Sequence, residues 1–226
     1  TYTLLNEKDT TVSAKSTKET IMIDAGHGGY DVGAESNYGD YEKDINLDIA
    51  LLVGKQLKSY GYNVVYTRTG DSVSWSNDNT EDLQTRCDLA NKKNADLFVS
   101  IHVNASEYEA NGYEIYCDFN NKNTVKLSNS ILKQLDKLDY STNRGLLDTN
   151  ETPLYVVKNN KVDAILIETG WNSPIKLAQQ NGLPQIPSPP SIFASSRTPI
   201  WRSSIRVLNT LARSFTRARK STLPSA

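Results

Sequence analysis

The alternation of apolar and polar positions divides the chain into strands and helices that follow one another in turn. Ile21-Met22-Ile23-Asp24-Ala25 predicts a first strand over about 20–25, and the run breaks abruptly into Gly26-His27-Gly28-Gly29. Residues 26–42 are too polar for a core element, and 17 residues is long for an idle connection. Asp44 then reads as the N-cap of a helix whose positions Ile45, Leu47, Ile49, Leu52, Val53 and Leu57 make one partly buried face, closed by Gly61. Tyr62 to Arg68 predicts a second strand, and a turn-rich loop over 70–80 leads to a helix near 81–94 with Leu83, Cys87, Leu89 and Ala90 inside. A third strand is expected over 96–101, followed by the sequence His102-Val103-Asn104. From Gly112 to Cys117 the pattern has period two, with Tyr113, Ile115 and Cys117 on one face and Glu114 and Tyr116 on the other. Residues 122–139 predict a helix, and Leu154–Val157 and Ala164–Glu168 two further strands. Strands alternating with helices predict an α/β fold, a layered, twisted, mostly parallel or mixed sheet of about six strands flanked by helices.

Charge changes the picture only when it is read along the chain. Residues 1–168 hold all 26 acids and 17 of the 25 bases, whereas residues 169–226 hold eight bases and no acid. Seven of the eight prolines also follow residue 168. The boundaries expected from this are a polar leader or linker over 1–19, a domain over 20–171, and an atypical basic Pro/Ser/Arg-rich tail over 172–226. Ile205, Leu208, Leu211 and Phe215 fall at helical spacing among five arginines in 201–219. The tail reads either as a basic amphipathic helix for an anionic polymer or membrane surface, or as foreign or out-of-frame sequence. No run of about 18 apolar residues marks a membrane span. The chain has neither an initiator Met nor a signal peptide, as expected of a mature form or an excised fragment. Cys87 and Cys117 lack metal-ligand spacing and read as free, structural thiols.

The chain's two histidines, His27 and His102, both sit at or near the ends of predicted core strands, where α/β folds place their sites. Either could be a hydrogen-bonded strand-end residue, and Glu42, at a helix start, could merely complement the helix dipole. Together, however, the three supply two imidazoles and a carboxylate, a ligand set found in catalytic zinc sites that keep an open fourth position. Glu168 directly follows four apolar residues, where a carboxylate is poorly solvated unless it borders a cleft or a cation. Beside such a metal it has an obvious task in handling the proton of a water.

Asp24-Ala25-Gly26-His27-Gly28-Gly29, Asp31-Val32-Gly33-Ala34, Glu42-Lys43-Asp44, Thr67-Arg68, Arg86, Ala90-Asn91, Ser100-Ile101-His102-Val103-Asn104-Ala105, Gly112-Tyr113-Glu114 and Ile167-Glu168-Thr169-Gly170 occur in this order. The ordered set, spanning about residues 20–171, resembles the zinc-dependent N-acetylmuramoyl-L-alanine amidases of the amidase_3 type, cell-wall hydrolases of autolysins, sporulation enzymes and phage lysins. The resemblance implies that His27, Glu42 and His102 bind one Zn2+ and that Glu168 is the catalytic glutamate. It further implies hydrolysis of the amide between N-acetylmuramic acid and L-alanine, at the cell wall, by a secreted enzyme or a phage lysin. The partner expected is peptidoglycan, glycan strand and stem peptide, with no nucleic acid and a monomeric protein. A non-catalytic wall-binding module and a metallopeptidase acting on the stem peptide are the alternatives. Asn104 either orients the site or is structural, and Arg86 reads as a helix-to-loop tether. Loops 30–41 and 70–80 are expected as groove walls, with Tyr30, Tyr38, Tyr41 and Trp75 as candidates to stack on sugar. After Glu168 the family pattern lapses: Gly170-Trp171-Asn172-Ser173-Pro174 stands where a Gly-Phe-Ile/Leu-Ser-Asn sequence and a regular helix are expected.

Overall fold

Strands covered by helices on both faces have no polar side, which is why Ile21–Ile23, Leu97–Val99 and Ala164–Ile167 run apolar without a break. The computed structural model describes residues 18–35, 39–104 and 112–171, with Asn104 and Trp171 described by their backbone. Most of the expected leader, Tyr38, Ala105 and the whole 172–226 tail with its helix reading lie outside the described residues. The element order is β1 (Thr20–Ala25), α1 (Glu42–Ser59), β2 (Asn63–Tyr66), α2 (Asn79–Lys92), β3 (Leu97–Asn104), β4 (Tyr113–Cys117), α3 (Lys122–Asp136), β5 (Asn143–Asp148), α4 (Tyr155–Lys158) and β6 (Asp163–Trp171).

The six strands form one mixed sheet in the order β2-β1-β3-β6-β4-β5. The pairs β1–β2, β1–β3 and β3–β6 are parallel, β4 is antiparallel to β6, and β5 is parallel to β4. Side-chain alternation sorts the core into two layers. Ile21, Ile23, Val99, Ile101, Ile115 and Ile167 pack with Ile49, Val53 and Leu57 of α1 and Leu127, Ile131 and Leu135 of α3. Met22, Phe98, Ala164 and Leu166 pack with Cys87 and Ala90 of α2 and Val156 and Val157 of α4. Both cysteines are free and buried, as their positions in the sequence suggest. No helix of the described residues is long and apolar enough to cross a membrane.

Four expectations are corrected. Leu154–Val157 is not a strand: Tyr155–Lys158 is a single helical turn, and the amide of Lys158 donates to Leu154 O at 2.8 Å. A four-residue apolar run fits a helical turn as well as a strand, and here it inserts Val156 and Val157 into the second core layer. The sheet position goes instead to β5, whose exposed Asn143 and Arg144 and whose Gly145 at φ 97° disguise it as a loop. Asp44 is not the N-cap, because α1 begins at Glu42 after Tyr41, with no side-chain cap. The third strand runs on to Asn104, so His102 stands inside it. The helix expected near 81–94 starts at Asn79, where Asp78 accepts the amides of Thr80 and Glu81.

β1 leads through α1 to β2 on one side and then through α2 to β3 on its other side. The strand order therefore reverses between β1 and β3, and a crevice opens above their C-terminal ends.

Candidate metal centre

His27 follows β1 and His102 stands two residues before the end of β3, so the crevice between these strands receives both imidazoles. His27 has φ 61° and is followed by Gly28 at 134° and Gly29 at 57°, a sharp turn that swings the ring back over the sheet edge. Gly26 is required for a different reason. A Cβ there would lie 2.2 Å from Cε1 and Nε2 of His102, so only a glycine lets that ring pack across the backbone. Glu42 enters from the first turn of α1, and the residue is 5% exposed.

Glu42 gathers the centre. Its Oε2 lies 3.1 Å from Nε2 of His27, and its Oε1 lies 3.0 Å from Nδ1 of His102. The amides of Ala34 and Val103 and the side-chain amide of Asn46 also donate to it. One ligand atom from each of His27, Glu42 and His102 lies within 4.8 Å of the other two. Ligands of one tetrahedral zinc stand about 3.4 Å from each other, so the three residues fit a single ion. On the far side of His27, Nδ1 bonds to Asp31 Oδ2 at 2.7 Å. With the proton on Nδ1, this bond fixes the tautomer that turns the Nε2 lone pair inward, the arrangement usual behind a metal-bound histidine.

Electrostatics point the same way. Burial opposes charge on His27, but the hydrogen bonds and charges of Glu42 and Asp31 outweigh it and raise the pKa to about 9. Burial pushes Glu42 up, yet the two imidazoles overcome it and hold the carboxyl well below its usual range. Without a metal, therefore, protons and mutual hydrogen bonds hold the cluster together; a cation would replace them.

Glu168 stands on β6 directly opposite His102 of β3. Its Oε2 is buried and has no hydrogen-bond partner among the described residues. Burial raises its pKa to about 7; His102 pulls against this, and the charges of Glu42 and Glu114 add to it. An orphaned buried oxygen beside a three-donor cluster fits a site completed by a cation and a water.

Arginines not assigned to the site fix its backbone. Arg86 of α2 donates to Ala25 O at 3.0 Å and to His27 O at 2.9 Å, and pairs with Asp24 at 2.8 Å and with Asp82 at 2.6 Å. Arg68 donates to Ala25 O, Gly26 O and Lys43 O. Arg86 is thus the tether expected from the sequence, while Arg68 and Asp31 stand in quoted motifs with no signal of their task. Trp75 lies under the Arg86 guanidinium at 4.9 Å, so one face of that ring is occupied. Tyr30 is exposed and donates to Asp82, and Tyr41 sits half-buried at the N-cap of α1.

Comparison with known proteins places this geometry. The Amidase_3 profile, described as N-acetylmuramoyl-L-alanine amidase, matches residues 21–179. The uncharacterized protein YqiI of Bacillus subtilis is 38% identical over 155 residues, 68% of this chain and 70% of YqiI. The N-acetylmuramoyl-L-alanine amidase LytC of the same organism is 38% identical over 156 residues, a match that spans 29% of LytC. Among solved structures, the N-acetylmuramoyl-L-alanine amidase from Clostridium difficile 630 superposes with a TM-score of 0.72 at 27% identity, covering 92% of this chain and 100% of that one. The chain belongs to the N-acetylmuramoyl-L-alanine amidase family of peptidoglycan hydrolases.

Proposed function

We propose that this chain, through a catalytic domain over 20–171, hydrolyses the amide between N-acetylmuramic acid and L-alanine, with one zinc held by His27, Glu42 and His102 and with Glu168 carrying the proton. The observation that supports it most is the joining of a three-donor cluster to a neighbouring carboxyl oxygen without a partner among the described residues. Zinc, when bound, supplies a Lewis acid that polarises the scissile carbonyl and brings the pKa of a water toward ~7. The chain's residues do the rest. Asp31 orients His27, and the amides of Ala34 and Val103 hold Glu42 in place. Glu168, with a pKa of about 7, takes a proton from the attacking water near neutral pH and returns it to the leaving L-alanine nitrogen. The enzyme works as a monomer at the cell wall, secreted or released as a phage lysin, with peptidoglycan as its partner.

The test is digestion of purified wall by the wild type and by Glu168→Ala, with zinc content measured in both. The wild type is expected to release new N-terminal alanine, and Glu168→Ala to keep its zinc and lose lysis. Unchanged lysis by the variant removes Glu168 from its role. Cleavage inside the stem peptide converts the reading to a metallopeptidase. Wall binding with no new amine leaves a non-catalytic module.

A further inference from the structure

The turn that carries His27 is costly to hold. With φ at 61°, His27 occupies a strained conformation that persists only where its surroundings over-determine it. Inside the turn, Gly28 and Asp31 exchange both backbone hydrogen bonds, at 2.9 and 3.1 Å, and Arg86 holds the His27 carbonyl. Gly29 is held from outside, by two different side chains. Its amide donates to Asp71 Oδ1 at 3.0 Å, and its carbonyl accepts from Lys43 Nζ at 2.9 Å. Lys43 Nζ also donates to Asp71 Oδ2 at 2.9 Å, so the contacts close a ring around one residue. Val73 packs on the same glycine, where a Cβ would lie 2.7 Å from its Cγ2.

Lys43 follows Glu42 in α1 and is 8% exposed. Its own backbone is gripped twice: the amide donates to Val32 O at 3.2 Å, and the carbonyl accepts from Arg68 at 2.7 Å. Burying an ammonium is costly, and a pair whose Asp71 is half exposed returns little stability. What the arrangement secures is geometry.

We infer that Lys43 and Asp71 are positioning residues for His27, a clamp on Gly29 that keeps the strained turn with its imidazole facing Glu42 and His102. The inference rests on the reading of that cluster as a zinc site. Neither residue is among the three donors, and the effect works through population. A ligand that holds its binding arrangement only part of the time lowers the apparent affinity by that fraction. With the clamp closed, the empty site already presents His27 inward. With it open, the turn relaxes, and binding has to reverse the relaxation.

The experiment measures the zinc Kd, by competition with a chromogenic chelator at fixed pH, together with the melting temperature of each metal-free protein. The proteins are the wild type, Lys43→Met, Asp71→Ala, Asp71→Asn and the double variant Lys43→Met/Asp71→Ala. Lys43→Met and Asp71→Ala are expected to bind zinc about 10- to 100-fold more weakly, the range for partners that stand behind metal ligands. Their melting temperatures stay within roughly 4 °C of the wild type, because the pair is half exposed. Asp71→Asn, which keeps a side-chain oxygen for the Gly29 amide, recovers part of the loss. The double variant is about as weak as the weaker single one, since both changes act on one turn. Should Lys43→Met not fold, Asp71→Ala, at a half-exposed position, carries the same comparison. A zinc Kd that stays put in the variants overturns the inference, because a purely structural pair moves the melting temperature alone. Losses that simply add in the double variant also overturn it, by making the clamp two unrelated contacts. A wild type that binds no zinc removes the zinc reading and the clamp with it, whereas tight wild-type binding with unmoved variants sinks the clamp and leaves the zinc site standing.

Discussion

Two polar clusters share the crevice above β1 and β3, and they are built on opposite principles. Around Asp24 everything is matched. Its two oxygens accept from Thr67, Arg86 and Ser100, each within 2.8 Å, and Arg86 pairs onward with Asp82. Burial pushes the Asp24 pKa up, but Arg86 and the two hydroxyls outweigh it and hold the carboxyl below its usual range. The cluster around Glu42 is unfinished. Its counter-charges are two imidazoles that must be protonated to serve, and Glu168 beside it keeps an oxygen with no partner among the described residues. A closed network fixes backbone; an open one of the same residue types has room for a divalent cation and a reacting water. Buried polarity alone therefore does not mark a site, but buried polarity left incomplete does.

Removing a donor from the open cluster gives the largest expected effect. His102→Ala is expected to lose co-purifying zinc and to lower wall lysis below detection, as read by metal analysis and turbidity. Glu168→Gln comes next: zinc stays, lysis falls by about 10²–10⁴-fold, and the metal-free protein melts no lower than the wild type, because an orphaned carboxylate is replaced by a neutral amide. A clearly lower melting temperature would place Glu168 among the structural residues and erase the contrast. The closed cluster should fail in the other way. Arg86→Leu strands Asp24 and Asp82 as buried charges at a cost of about 3–5 kcal/mol. Scanning calorimetry should then show a melting temperature roughly 6–20 °C lower. If the melting temperature holds and only zinc affinity drops, the network belongs to the site and not to the frame.

The sequence made the open cluster easier to find than the closed one. Two histidines in the whole chain, each at or near the end of a core strand, narrow the search at once, and Glu168 is conspicuous after four apolar residues. The sheet was legible for a related reason, since strands buried on both faces leave unbroken apolar runs. The closed cluster was hidden because its side chains come together from distant parts of the chain and its arginine also grips backbone carbonyls: nothing in Arg68 or Arg86 as letters says that they clasp Ala25, Gly26 and His27. β5 escaped because an edge strand carrying Asn143, Arg144 and Gly145 lacks both an apolar run and β-branched residues.

The smallest expected effect concerns pH, and it separates the two clusters by sign. In the metal-free fold Glu168 titrates near 7 instead of 4.5, so the folded state holds its proton more tightly than the unfolded chain. The stability this gives is fully present below about 4.5 and is lost as the pH rises through 7. Asp24 is lowered from 3.8, so its contribution is present above that value and is lost as the pH falls through its folded pKa. Zinc-free wild type and Glu168→Gln, compared by urea unfolding at several pH values, isolate the first effect. His27, itself raised to about 9, is present in both proteins and largely cancels. Relative to the variant, the wild type is expected to lose stability between about 4.5 and 7. A difference that stays flat across that interval would mean that Glu168 is solvated in the folded protein, and the open cluster would then have no poised acid.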